Sequence, residues 1–236
     1  DSDIEINGSI TFANQNEDFA GTVSVDTTGI QVNDPDGGTV VLTATSKSSL
    51  VTASFNSTTQ KIELVAVADQ FGADSILVTA TVGGRSTVKS YPITIVSVND
   101  APVVTGKTIA FNEPQTDSIV TVAYADYVDA SMANAYGPSN ETQTLKEVTL
   151  VSASNHVIKT VSVDVSNNLI FTLTGKLNGP DTVEVSVVDN DGTANGGENS
   201  KTVKVIINTA AADSDIEING SITFANQNED FAGTVS

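Results

Sequence analysis

The first 24 residues, Asp1 to Ser24, return letter for letter as the last 24, Asp213 to Ser236. The offset is 212 residues. An internal period constrains a fold more strongly than local propensity, because each repeat must be a structural unit that stacks on its neighbours. The chain therefore reads as one whole 212-residue unit followed by the opening of the next, a window on a tandem array. A duplicated overlap is the alternative. The unit has room for two domains of ordinary size, each able to bury its own core.

Charge and composition narrow the possible partners. The formal net charge is −19. Five of the 29 acids fall in the terminal copy, which leaves 24 against 10 Lys and Arg in the unique period. Such a surface disfavours nucleic acid and anionic membranes and leaves carboxylates to bind hard cations. No apolar run reaches membrane-spanning length. The chain opens on acidic residues rather than a basic leader, and is expected to be a mature or internal segment of a larger protein. Cysteine is absent, so disulfide staples, a thiol nucleophile and thiolate metal sites are excluded.

The hydrophobic pattern has period two. Val161, Val163 and Val165 alternate with polar residues, as do Val183, Val185 and Val187, while Val203, Val205 and Ile207 alternate with Lys204 and Ile206. Ile62, Leu64 and Ala66, and Ile76, Val78, Ala80 and Val82, keep the same cadence. One face of each run is suited to a core and the other to water. Turns at Asp36-Gly37-Gly38, Gly83-Gly84, Asn178-Gly179-Pro180 and Asp191-Gly192 separate the runs. No 3.6-residue stripe is present. The expectation is all-β, built as β-sandwiches.

Residues 93–98 form a strand that runs into Asn99-Asp100-Ala101-Pro102, where the proline removes a donor and restricts Ala101. This marks a boundary, giving sandwiches at 1–100 and 101–212 and the start of a third at 213–236. The halves are cousins: Phe12 precedes Asn16-Glu17-Asp18, and Phe111 precedes Asn112-Glu113-Pro114. A lone hairpin is marginal in water, so the terminal copy is expected to be held by a continuing chain, a neighbouring molecule or the first sandwich.

Val98-Asn99-Asp100-Ala101-Pro102-Val103, with Asn16-Glu17-Asp18 and Gln70-Phe71-Gly72-Ala73-Asp74, resembles the bacterial cadherin-like and immunoglobulin-like tandem repeats of large surface adhesins. Residues 137–144 and 188–197 resemble the longer repeat type that alternates with the shorter one. The resemblance implies two tandem immunoglobulin/cadherin-like β-sandwiches, stiffened by Ca²⁺ near the joints, in an extracellular stalk on a bacterial cell surface. The implied partners are identical repeats in series, and other cells or surfaces reached through other domains.

Ca²⁺ takes 6–8 oxygen ligands. Under this resemblance the first joint gathers Asn99 and Asp100 with Glu113 from the next sandwich. Glu17 serves the preceding joint, with Asp213 or Asp215 as its array-related partners. Asp126, Asp129, Glu141, Asp189 and Asp191 form a second candidate set in loops that the family places near one end of the sandwich. Asp189-Asn190-Asp191-Gly192 has the alternating acids of a calcium loop but lacks the glutamate of an EF-hand, because Ser200 stands at the twelfth position. Asn33-Asp34-Pro35-Asp36 is a further candidate. Each of these sets also has a simpler reading, in which Asp and Asn cap their own turns.

Catalysis has little support. His156 is the single histidine, and it lies in a polar turn. No Gly-x-Ser-x-Gly elbow or phosphate-binding loop occurs, so no enzymatic activity is expected. Two alternatives to the stalk remain: a self-assembling filament joined by donor-strand exchange, and a glycan- or ice-binding adhesin module. The absence of Trp weakens a sugar platform.

Overall fold

The computed structural model describes residues 3–212. The alternating valines become alternating burial. Val183, Val185 and Val187 on the strand Gly179–Asp189, and Val203, Val205 and Ile207 on Ser200–Ala210, are buried. Ile76, Val78, Ala80 and Val82 are buried on Gly72–Val82. Val165 departs from the expected cadence. Its strand, Ile158–Val163, has ended, and Val165 is fully exposed in a turn where the Asp164 carboxylate accepts the N–H groups of Ser166 and Asn168. Helix among the described residues amounts to the turn Tyr124–Tyr127 and a 3₁₀ turn at Ala194–Gly196.

The strands form two β-sandwiches, and the all-β expectation holds. In the N-terminal sandwich, a four-stranded sheet runs in the order Gln15–Asn16, Arg85–Val96, Gly72–Val82, Val41–Ser46. A three-stranded sheet, Val23–Asp26, Lys61–Ala66, Val51–Asn56, shares its core. The C-terminal sandwich repeats the plan. Its sheets run Thr108–Asn112, Ser200–Ala210, Gly179–Asp189, Leu145–Ala153, and Ser118–Val122, Leu169–Leu173, Ile158–Val163. Tyr127 lies in this second core, and its hydroxyl donates to the Asn167 carbonyl at 2.5 Å.

One pairing sets the position of the site. In both sandwiches the first strand of the larger sheet lies parallel to the last. Asn16 is in register with Val96, and Asn112 with Ala210. The amide of Glu17 then bonds to the Val96 carbonyl, and that of Glu113 to the Ala210 carbonyl, both at 2.8 Å. Each Asn-Glu pair is thus carried to the base of its own sandwich, beside the chain's exit. Gly72 and Gly179 stand opposite Ile95 and Thr209 with φ of 126° and 119°, a conformation L side chains rarely adopt.

Buried carboxylates pin the turns of this base. Asp74 accepts Ser48 and Ser75 N–H, Leu50 N–H and the Ser46 hydroxyl. Asp181 accepts Val157 N–H, Ile158 N–H and the Ser154 hydroxyl. Burial pushes both groups up, but these bonds favour the charged form and hold each below the usual aspartate value.

Candidate metal centre at the junction

Three carboxylates, those of Asp18, Asp69 and Asp100, place oxygens within 4.8 Å of one another where the N-terminal sandwich meets the C-terminal one. Asp18 follows Glu17 at the strand end, and Asp69 occupies the turn before Gly72. Both adopt left-handed backbone, φ 54° and 55°, which Asp tolerates better than most residues. The Asp69 amide donates to Asp18 Oδ1 at 3.1 Å and holds the two turns together. Asp100 comes from the linker.

Glu17 lies beneath them, 4% exposed. Its Oε1 accepts the Val98 amide at 2.6 Å, while Oε2 is buried without a hydrogen-bond partner. Asp100 Oδ2 is buried and unpartnered in the same way. Burial pushes the Glu17 carboxyl up, as do the charges of Glu141, Asp100 and Asp18, against the Val98 amide. Burial also raises Asp100, reinforced by Asp69, Asp18, Glu141 and Glu198. Leaving buried carboxylate oxygens unpaired is costly. Among the described residues the ion pairs lie elsewhere: Arg85 with Asp34 and Asp36, Lys146 with Glu147, and Lys159 with Asp117.

The C-terminal sandwich closes the other side. Asn99 is 8% exposed and acts as a cross-link. Its Nδ2 donates to both Asp189 oxygens, at 3.2 and 3.3 Å, and to the Glu198 carbonyl at 2.8 Å. Its Oδ1 accepts Gln143 Nε2 at 2.5 Å, and its carbonyl accepts the Glu198 amide. Gly197 is obligatory here, because a β-carbon would stand 2.9 Å from the Asn99 nitrogen. Gln143 also donates to Glu141, whose other oxygen accepts the Ser97 hydroxyl at 3.1 Å. Asn16 and Asn140 tie the two sandwiches further, through the Asn195 and Asp69 carbonyls. A cleft of about 460 Å³ opens beside Asp69, Asp100 and Glu198.

The structure brings Glu17, Asn99, Asp100, Glu141 and Asp189 into one junction. Two expected placements are corrected. Glu17 serves the joint that follows its sandwich, not the one before it. Glu113 does not meet Asp100: the parallel pairing carries it to the far base, where it accepts Asn178 Nδ2 at 2.8 Å. Asp191 lies at the rim, its amide bonded to Asp189 Oδ1 and its own carboxylate capping Gly192. Asp126 stays apart, exposed in the helical turn. Asp129 caps Ser131. Asp34 and Asp36 pair with Arg85 at the opposite end of their sandwich. Asp213 and Asp215 lie outside the described residues, as does the expected third domain. His156 is exposed, with Nε2 3.0 Å from the Asn178 carbonyl.

Asp18, Asp69, Glu198 and Gln143 were not among the expected ligands. Asp18 adjoins Glu17, and adjacency alone could have flagged it. Asp69 carried no signal beyond its place before Phe71-Gly72.

The donors are all oxygens, and they include two buried, unpartnered ones. That set suits a hard divalent cation, and its irregular spread suits Ca²⁺ better than a small octahedral ion. Glu17, Asp18, Asp69 and Asp100 would hold it, and its charge would offset theirs.

No family model matches the chain, and no curated protein sequence matches it. Among solved structures it is similar to mouse cadherin-23 EC22-24, with 13% identity, a TM-score of 0.43, and coverage of 89% of this chain and 67% of that one. Human mucin-like protocadherin EC1-2 has 16% identity and a TM-score of 0.39, covering 89% and 98%. The endo-fucoidan hydrolase MfFcnA4 of glycoside hydrolase family 107 has 17% identity and a TM-score of 0.36 over 87% of this chain. This chain spans 28% of that enzyme's length. Cadherin ectodomains are thus among the solved structures to which this chain is similar, and their ligands and partners are not carried over to it.

Proposed function

We propose that this chain is a repeat unit of a long extracellular adhesin or fibre on a bacterial surface, with its internal junction stiffened by Ca²⁺. The observation that supports this is the Asp18, Asp69 and Asp100 cluster, together with the buried, unpartnered oxygens of Asp100 itself and of Glu17 next to Asp18. Without a cation, the mutual repulsion of these acids favours separating the two sandwiches. A bound divalent ion reverses that sign and draws four ligands from three segments of the chain into one geometry. The exact recurrence of 24 residues supports a unit that continues in series.

The test compares excess Ca²⁺ with EDTA in thermal unfolding and solution scattering. Selective binding to the native state raises the midpoint by mass action, about 2.7 kcal/mol of stabilisation at a ligand concentration of 100 Kd. The expected result is a higher midpoint and an elongated, rigid scattering profile with Ca²⁺, both lost in Asp100→Asn. Identical curves with and without the ion would sink the reading.

The filament reading keeps one specific support. The terminal copy duplicates the segment that supplies the edge strands Glu5–Gly8 and Gln15–Asn16, so the copy on one chain could take that place on the next. Polymerisation in EDTA would favour it.

A further inference from the structure

Asparagine followed by glycine is the dipeptide most prone to lose its side-chain amide. The glycine nitrogen attacks the asparagine Cγ, ammonia leaves, and a five-membered imide remains. Water then opens the imide to aspartate or to isoaspartate, whose main chain runs through the extra methylene. Glycine favours the attack because no β-carbon shields its nitrogen. The step also needs side chain and backbone free to turn toward each other. The sequence has four such dipeptides, and the structure describes three of them: Asn7-Gly8, Asn178-Gly179 and Asn195-Gly196. Asn219-Gly220, the copy of the first, lies outside the described residues.

Two of the three are locked. Asn7-Gly8 ends the strand Glu5–Gly8, with Gly8 opposite Ile30. A β-carbon on Gly8 would stand 2.2 Å from the Gly29 carbonyl oxygen, and the Gly8 carbonyl accepts Lys89 Nζ at 2.6 Å. Asn178 donates its side-chain amide to Glu113, and its carbonyl lies 3.0 Å from His156 Nε2. Gly179 opens the strand Gly179–Asp189, opposite Thr209. In either place a ladder must open before the imide can close, and opening is far costlier in a packed strand than in a surface turn.

Asn195-Gly196 has neither restraint. It lies exposed in the 3₁₀ turn Ala194–Gly196, where Asn195 has a left-handed φ of 59°. Among the described residues no hydrogen bond holds the Asn195 side chain, and a β-carbon on Gly196 would meet nothing within 4 Å. The same turn carries the contact between the sandwiches. The Asn195 carbonyl accepts Asn16 Nδ2 at 3.0 Å, and the Glu198 amide donates to the Asn99 carbonyl at 2.8 Å. Between them, buried Gly197 packs against the Asn99 backbone.

We propose that Asn195-Gly196 is a modification site built into the junction: it deamidates without a catalyst, and the product loosens the C-terminal sandwich from Asn16 and from the linker. Isoaspartate lengthens the main chain by a methylene just before Gly197, whose fit on Asn99 leaves no room to absorb it. Either product adds a carboxylate to a turn that already carries Asp191 and Glu198. The change consumes only water and runs one way, so it records the age of a chain that is not replaced. It does not depend on a metal in the junction.

The test keeps the full chain folded in mildly alkaline buffer and follows conversion at each dipeptide. Peptides cut at lysine and, separately, at glutamate distinguish the dipeptides, and tandem mass spectrometry reads the mass gain of acid over amide. Asn195 should convert at least about ten-fold faster than Asn7 and Asn178, and the three rates should converge in urea, where no strand protects them. Anion exchange then isolates the converted chain. Its solution scattering should show a wider spread of inter-sandwich angles than the fresh chain gives. Asn195→Gln, checked for folding by circular dichroism and aged alongside, should keep the fresh profile. Equal rates at Asn195 and Asn178 in the folded chain would overturn the site. A converted chain that scatters like the fresh one would overturn its effect on the junction.

Discussion

At the scale of single residues, the junction depends on carboxyls displaced from their ordinary behaviour. Glu17, Asp100 and Asp189 are raised above their usual values of 4.5, 3.8 and 3.8, each first by burial. A raised folded-state pKa means that the native state holds the proton more tightly than the unfolded chain does. The stabilisation is full below the unfolded value and is lost as pH climbs through the folded one. Asp74 and Asp181 work oppositely. Their contribution is present above 3.8 and is lost as pH falls through their lowered folded values. In EDTA the chain should therefore be most stable at mildly acidic pH, just above the ordinary carboxylate range, and should weaken towards neutrality. Excess Ca²⁺ should move that optimum upward, because the ion competes with those protons. Melting midpoints across pH 3 to 8 in both conditions would check this, and a neutral optimum in EDTA would contradict it. These displaced groups were only partly legible in the sequence. Glu17, Asn99 and Asp100 sit in a motif, but the proximity of Asp69 arises from a left-handed turn and a register that no local pattern encodes.

At the scale of elements, the strands were legible because a period of two is the direct imprint of a pleated, one-sided surface. The valines of Gly179–Asp189 and Ser200–Ala210 show it most clearly. The direction of the first strand was not legible. Phe111-Asn112-Glu113 reads equally well at the top or the base of its sandwich until the parallel pairing with Thr209 and Ala210 is known, and this misplaced Glu113. The approach to that strand is tight. A β-carbon on Gly106, in the short strand Thr105–Gly106, would stand 2.0 Å from the Lys204 carbonyl oxygen, which is backbone and cannot swing aside. Gly106→Ala should destabilise the C-terminal sandwich by about 1–3 kcal/mol, the usual cost of overpacking. Gly37→Ala meets open space and strains only its own φ of 72°, so it should cost less. Chemical denaturation of the two variants checks the ranking, and equal losses would contradict it.

At the scale of the whole molecule, the surplus of acids makes the calcium-free chain sensitive to plain ionic strength. Screening shortens from about 30 Å at 0.01 M salt to about 3 Å at 1 M. In EDTA, raising NaCl over that range should lift the melting midpoint and narrow the spread of inter-sandwich angles seen by scattering. With Ca²⁺ bound, the same salt should do little. A chelated chain indifferent to salt would argue that packing and the Asn99 bridge alone hold the junction. The all-β sandwich plan was the most legible property at this scale, since runs of period two recur in both halves of the sequence. The parallel pairing of first and last strands also has a mechanical meaning. When such a unit is pulled from its two ends, those strands slide lengthwise past each other, so the hydrogen bonds joining them are loaded together rather than peeled one by one. The C-terminal sandwich has five residue pairs in this ladder and the N-terminal sandwich has two. On this ladder alone, the N-terminal sandwich is expected to yield first under tension, while its neighbour stays folded to carry the load.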